Sequence, residues 1–196
     1  MTAFPRTTLI VAITAFAGGW GCSADSPTLG PFQSTSNISA DITGVPDTRL
    51  GGWGLHQSDP VRLKITAPAG YRVRILEVVG DLVAWPKAGT LRGDQYAEVG
   101  WGLNTSLNDG SRFMSYPDDP GAIAYDNCMI WVQDSLVASR GSVRVAFDRK
   151  FSTLLDENGI LYSQPFVALN TSGLQIHLEP TVSITYRFEK VSLPKK

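Results

Sequence analysis

The sequence is poor in cysteine, histidine and charge. It has two cysteines and two histidines, each pair far apart in sequence, which excludes most zinc motifs, local Cys/His catalytic signatures and a disulfide-dense scaffold. Asp, Glu, Lys and Arg make up only 18% of the 196 residues, and the net charge is −1 with no dense basic block. A nucleic acid is therefore not expected as the main partner.

No hydrophobic run is long enough to cross a membrane. The largely apolar stretch 9–17 is shorter than the roughly 20 residues that a transmembrane helix needs. It follows Arg6 and precedes small residues, which predicts a signal peptide over residues 1–22 and no transmembrane segment in the mature chain. The final Gly-Trp-Gly-Cys is similar to a bacterial lipoprotein box, so Cys22 is a candidate lipidation site. We expect a secreted or periplasmic protein, or one anchored to a surface by a lipid at Cys22.

Glycine, proline and segments in which apolar and polar residues alternate are abundant. Nineteen Gly and twelve Pro accompany the alternating segments, and residues 181–189 are the clearest of these: Val182, Ile184, Tyr186 and Phe188 alternate with polar neighbours. About eight to ten such segments follow one another at roughly ten-residue spacing, separated by turn signals. The pattern predicts an all-β fold, an antiparallel β-sandwich of jelly-roll type.

Composition divides the chain into three parts. After the leader of residues 1–22, residues 23–36 have the Ser/Pro/Gly bias of a flexible linker. Residues 37–196 are then long enough to form a single sandwich domain. Within it, Cys128 and Trp131 stand in the apolar run Cys-Met-Ile-Trp-Val, so we expect both in the core.

Exposed aromatic rings are the candidate ligand-binding feature. Five Trp and six Tyr occur in this short chain, and the amphipathic rings of Trp and Tyr suit the apolar C–H face of a sugar beside polar neighbours. Trp53 and Trp101 each stand in Gly-Trp-Gly-Leu, where glycine leaves room beside a large ring. The stretch 104–126 lacks a clear strand, and long loops often carry function. The candidate binding residues are Trp53, Trp85, Trp101, Asn104, Tyr116 and Tyr125.

Acidic residues suggest one metal ion. Asp118, Asp119 and Asp126 supply hard oxygen donors within one loop region, and calcium prefers such ligands. Their spacing does not follow the EF-hand loop. We therefore expect no cofactor, with calcium as the only candidate.

Carboxylates are also the candidate groups for catalysis. Glu98 or Glu179, together with an Asp from residues 118–126, could act in glycoside hydrolysis, which uses a pair of carboxyl groups, and His177 shares a strand face with Glu179. No Gly-x-Ser-x-Gly elbow is present, so the sequence does not favour a serine hydrolase. Because nothing selects these residues over solvent-facing ones, we expect that the protein is not an enzyme.

Three functions remain open. The first is an exported, non-catalytic binding module whose partner is a carbohydrate or another cell-surface polymer. The second is a self-assembling structural protein, such as a virion coat, spike or appendage subunit, in which residues 23–36 and 192–196 are exchanged between copies of a homo-oligomer. The third is an exported glycoside hydrolase. Exposure of the candidate tryptophans on one face would favour the first.

Overall fold

The computed structural model describes residues 10–13, 28–43, 54–93, 95–105, 128–169 and 173–191. Within these ranges no helix is long and apolar enough to span a membrane. The regular elements there are the strands β1 (Ile10–Ile13), β2 (Thr28–Asn37), β3 (Ala40–Thr43), β4 (Gly54–Gln57), β5 (Val61–Ile65), β6 (Tyr71–Ala88), β7 (Tyr96–Asn104), β8 (Cys128–Val137), β9 (Val143–Leu154), β10 (Ile160–Leu169) and β11 (Gln175–Lys190).

The strands form two sheets. Sheet A has the order β1-β5-β10-β7-β8, and β4 pairs with β10 beyond the end of β5; sheet B has the order β2-β11-β6-β9, and β3 pairs with β11 beyond the end of β2. All pairs are antiparallel except the parallel pair β1–β5. β2 and β3 lie end to end along β11, and β4 and β5 lie end to end along β10, so each of these pairs counts as one principal strand. Apart from β1, each sheet then has four principal strands in the jelly-roll arrangement. The predicted fold class is confirmed.

The core lies between the inner faces of the two sheets. On β11, Val182, Ile184, Tyr186 and Phe188 are each at most 4% exposed, whereas the residues between them are only half-buried on the outer face. The residues of 181–189 that face the core are therefore the apolar ones, as the alternation predicts, because a strand directs successive side chains to opposite faces.

Part of the predicted linker belongs to the sandwich. Residues 28–36 lie in β2, which pairs with β11 along the edge of sheet B. The Phe32 ring lies 5.8 Å from the Tyr186 ring and 5.2 Å from the Phe188 ring. The Ser/Pro composition of this segment is misleading because pairing with a long neighbouring strand and these ring contacts outweigh its low β-propensity.

Trp131 faces outward rather than into the core, which corrects the expectation from its apolar neighbours. Its partly exposed indole stacks on the buried Phe166 ring, with centroids 4.4 Å apart and an interplanar angle of 17°. Ile130 and Val132 point inward instead. The reason for this arrangement is Gly100, whose missing side chain leaves the space that the Phe166 ring fills: a Cβ there would lie 2.0 Å from Cζ.

Replacing Gly100 by alanine should destabilise the protein. The new methyl would meet the Phe166 ring and also the Val132 main-chain oxygen at 2.6 Å, so rotation of the ring alone cannot relieve the clash. We expect the free energy of unfolding in urea to fall by about 1–3 kcal/mol. Gly141→Ala is the matched control, because nothing lies within 4 Å of a Cβ built there. Equal losses in the two variants would contradict the packing argument.

Candidate functional site

Trp101 belongs to the core, so it cannot serve as the expected sugar platform. Its side chain is 0% exposed, its Nε1 donates a hydrogen bond to Ser163 Oγ at 2.6 Å, and its ring stacks on Phe147 with centroids 4.9 Å apart. A ligand could reach this ring only by opening the sandwich. The flanking glycines of Gly-Trp-Gly occupy the opposite face of β7.

The remaining predicted binding residues that the structure describes, Trp85 and Asn104, do not form one platform. Trp85 is half-buried on the outer face of sheet B. Asn104 ends β7 in sheet A, where its Oδ1 accepts a hydrogen bond from the Thr105 main-chain N–H at 3.0 Å. The other members of the predicted sites lie outside the described residues: Trp53, Tyr116, Tyr125, Asp118, Asp119, Asp126 and Cys22. Within the described ranges, no three His, Cys, Asp or Glu side chains are grouped so that they could hold a metal ion.

Glu98 and Glu179 lie on opposite outer surfaces of the sandwich. Glu98 alternates with the fully buried Ala97 and Val99 of β7 and so faces outward from sheet A. Glu179 faces outward from sheet B. The two carboxylates therefore cannot act as a pair on one glycosidic bond, which needs both within about 10 Å, and the aspartates of 118–126 expected as their partners lie outside the described residues.

A polar cluster surrounds His177 on the outer face of sheet B. Its Nδ1 donates to Asp41 Oδ1 at 2.5 Å and its Nε2 donates to Glu179 Oε1 at 3.0 Å, as the shared strand face of His177 and Glu179 predicts. Lys87 of β6 forms an ion pair with the other oxygen of Asp41. The Trp85 ring lies 4.5 Å from the imidazole. These contacts join β3, β11 and β6.

The cluster favours a protonated imidazole and an ionised Asp41. Burial lowers the pKa of His177, but hydrogen bonds to Asp41 and Glu179 together outweigh that effect, so its pKa is raised. Hydrogen bonds from Lys87 and then from His177 lower the pKa of Asp41. Both ring nitrogens thus face carboxylates, as suits the imidazolium form.

This geometry suits a structural role, in which the cluster holds β3, β11 and β6 together, better than a catalytic one. Ser39 Oγ lies 3.5 Å from His177 Nε2, which superficially resembles the start of a Ser-His-Asp series. The same nitrogen, however, is closer to Glu179. A general base must present an unprotonated nitrogen to the hydroxyl, and here that nitrogen is directed at a carboxylate.

An open cleft lies between β8 and β9, the last strands of sheets A and B on one side of the sandwich. Its volume is about 570 Å³, and its lining includes Trp131, Gln133, Val145, Phe147 and Arg149. The Trp131 Nε1 donates to Gln133 Oε1 at 2.9 Å. The cleft thus combines an indole, apolar side chains and polar groups, the mixture usual in small-molecule sites.

Sequence reasoning missed this cleft because it assigned Trp131 and Trp101 to the wrong faces. One signal was present. Gly100 and Gly102 alternate with Trp101, so one face of β7 carries a large ring and the other carries almost no side chain. Space on the glycine face invites rings from the neighbouring strands, which pair Gly100 with Phe166 and Gly102 with Trp131.

Comparisons with known proteins identify no family for the chain. No protein-family model and no curated protein matches it. A chain from the structure of Desmodium yellow mottle tymovirus is 9% identical, with 91% of this chain and 100% of that chain covered and a TM-score of 0.28. A chain of infectious bursal disease virus, Gx strain, is 10% identical, with 81% of this chain and 37% of that chain covered and a TM-score of 0.22.

The His177 cluster should make stability depend on pH. The raised pKa of His177 in the folded state stabilises the protein fully below the pKa of an unfolded His, and this stabilisation is lost as pH rises through the folded pKa. The lowered pKa of Asp41 stabilises the protein above the pKa of an unfolded Asp, and this stabilisation is lost as pH falls through the folded pKa. The difference in unfolding free energy between wild type and His177→Gln should therefore be largest between about pH 4 and about pH 6.5.

Denaturant titrations from about pH 4 to about pH 9 measure the difference in unfolding free energy between wild type and His177→Gln. His56→Gln is the control, because His56 lies on β4 in sheet A, away from the cluster. A difference for His177→Gln that stays constant from about pH 5 to about pH 9, across the titration of the imidazole, would contradict the assigned contacts.

Proposed function

We propose that this chain is a structural subunit that assembles with copies of itself. The eight principal strands form a jelly roll, a fold that serves in viral capsids, lectins and cupins. Because one fold hosts many functions, the fold alone does not select among these. The observation that supports assembly is the addition of β1 to the edge of sheet A.

The β1–β5 pair shows that the edge of sheet A accepts a strand. Ile10–Ile13 pairs in parallel with β5, from Ile10 beside Arg62 to Ile13 beside Ile65. It is the one parallel pair among the described strands, and it joins a segment near the N-terminus to a strand about fifty residues later in the chain. Main-chain pairing of this kind does not depend on which copy supplies the strand.

The length of the connection permits exchange between copies. The fourteen residues 14–27 separate β1 from β2 and can span up to roughly 46 Å when extended. That reach allows β1 of one copy to pair with β5 of another, and exchange of an identical element is a low-cost route to oligomers. The β5 edge is then covered in every subunit of a closed assembly.

Two proline substitutions test the exchange in the full chain. Neighbouring residues of a strand direct their N–H groups to opposite sides, so only one of Val11 and Ala12 directs its N–H toward β5. Proline removes that donor. We expect one of Val11→Pro and Ala12→Pro to reduce the mass from a multiple of 21.2 kDa to the monomer value, while the other largely retains the oligomer. Size-exclusion chromatography with light scattering measures both.

Two results would overturn the proposal. One is a wild-type chain that stays monomeric at all concentrations tested, and the other is an oligomer that neither proline alters. The signal-peptide prediction offers a further test, because a leader is removed whereas an exchanged strand must stay. An N-terminus that begins after residue 10 in protein isolated from its natural source would exclude exchange of β1.

Carbohydrate binding is the second candidate function, and one observation favours it. Trp131, which the sequence pattern assigned to the core, lines the open cleft with a partly exposed indole. Trp combines a large apolar face with a polar N–H, a combination that suits the two faces of a sugar.

A further inference from the structure

We propose that the cleft between β8 and β9 binds an acidic sugar, that is, a pyranose ring that carries a carboxylate group. The inference rests on the second candidate function, carbohydrate binding, and assigns its site and ligand class. Three features of the cleft support it: a fixed indole, an apolar floor and an arginine that has no ion-pair partner within the described part of the chain.

The indole of Trp131 is held in place before any ligand arrives. One contact is the stack on Phe166 at 4.4 Å, and the other is the hydrogen bond from Nε1 to Gln133 Oε1 at 2.9 Å. Phe166 is 1% exposed and lies over Gly100, so it cannot easily move away. A ring fixed in this way loses little conformational freedom on binding, which favours affinity.

Phe147 gives the cleft a rigid floor. It is 6% exposed and stacks on the buried Trp101 ring at 4.9 Å. Its ring also lies over Gly80, where a Cβ would come within 2.8 Å of Cζ. With Val145 beside it, the floor offers an apolar surface to the C–H groups of a sugar ring.

Arg149 supplies the charge. Among the described residues its guanidinium forms no ion pair, and it donates one hydrogen bond, to the Asp148 main-chain oxygen at 3.1 Å. Arg144 on the same strand differs, because it is paired with Asp81. An arginine that lines a cleft with most of its N–H groups uncommitted can bind a carboxylate in bidentate geometry.

The three features together fit an acidic sugar. Trp131 stacks on the C–H face of the pyranose ring, the amide N–H₂ of Gln133 donates to a hydroxyl because its oxygen already accepts from Trp131, and Arg149 binds the carboxylate. The volume of about 570 Å³ lies within the range of roughly 300–1,000 Å³ for small-molecule sites. A neutral sugar would use the same ring and amide but leave Arg149 without a counter-charge.

Calorimetric titration of the full chain with tetragalacturonate, and with maltotetraose as the neutral sugar, tests the assignment. We expect saturable binding of tetragalacturonate and at least about tenfold weaker binding of maltotetraose. Arg149→Gln should weaken tetragalacturonate binding by at least about tenfold, since a charge-assisted contact is lost. Arg144→Gln removes the same charge from the same strand outside the cleft and should change the affinity less than about twofold. Trp131→Ala should abolish binding.

Each alternative result has a distinct meaning. Equal binding of both sugars, or equal effects of Arg149→Gln and Arg144→Gln, would overturn the acidic-sugar assignment. Tetragalacturonate binding that survives both Arg149→Gln and Trp131→Ala would retain carbohydrate binding but exclude this cleft. No binding of either sugar would overturn both the acidic-sugar assignment and carbohydrate binding. A fall in oligomer mass for Trp131→Ala would then identify the cleft as a contact between copies. Arg149→Gln keeps the test valid if Trp131→Ala fails to fold.

Discussion

The antiparallel pairing of β6 with β11 is the interaction on which the rest of the sandwich depends. These are long strands, of 18 and 16 residues, and their register runs from Tyr71 beside Lys190 to Ala88 beside Gln175. β2 and β3 attach to the other side of β11, and β9 attaches to the other side of β6. Without the central pair, the outer strands of sheet B would have no strand to pair with, and sheet A would have no inner face packed against it. Gly80, in the middle of β6, also admits the Phe147 ring.

Period-two alternation was sufficient to predict the fold class but not every face. In residues 181–189 polar and apolar residues alternate strictly, so only one phase buries the apolar set. The run around Trp131 is apolar at successive positions, so either phase satisfies burial and the sequence leaves the ring's face undetermined. The strand character of residues 28–36 was hidden for another reason: it depends on pairing with β11, about 150 residues later, which local composition does not report.

The His177 cluster shows the same division between local and distant information. The spacing of His177 and Glu179 places both on one strand face, and their contact follows directly. Asp41 is 136 residues away from His177 and becomes a neighbour only because β3 pairs with β11. Carboxylates on both sides of the imidazole, supplied by two different strands, therefore could not be anticipated from spacing.

Strand order separates the two proposed activities in space. β5, which accepts β1, is the last principal strand on one side of sheet A, whereas β8, which carries Trp131 and Gln133, is the last strand on the other side, with β10 and β7 between them. The cleft also lies next to β9, at the side of sheet B opposite β2 and β3. Joining copies through β5 therefore leaves the cleft uncovered by that contact. A subunit built in this way could assemble through one side of its sandwich and present a ligand site on the other, so either activity could be lost without loss of the other.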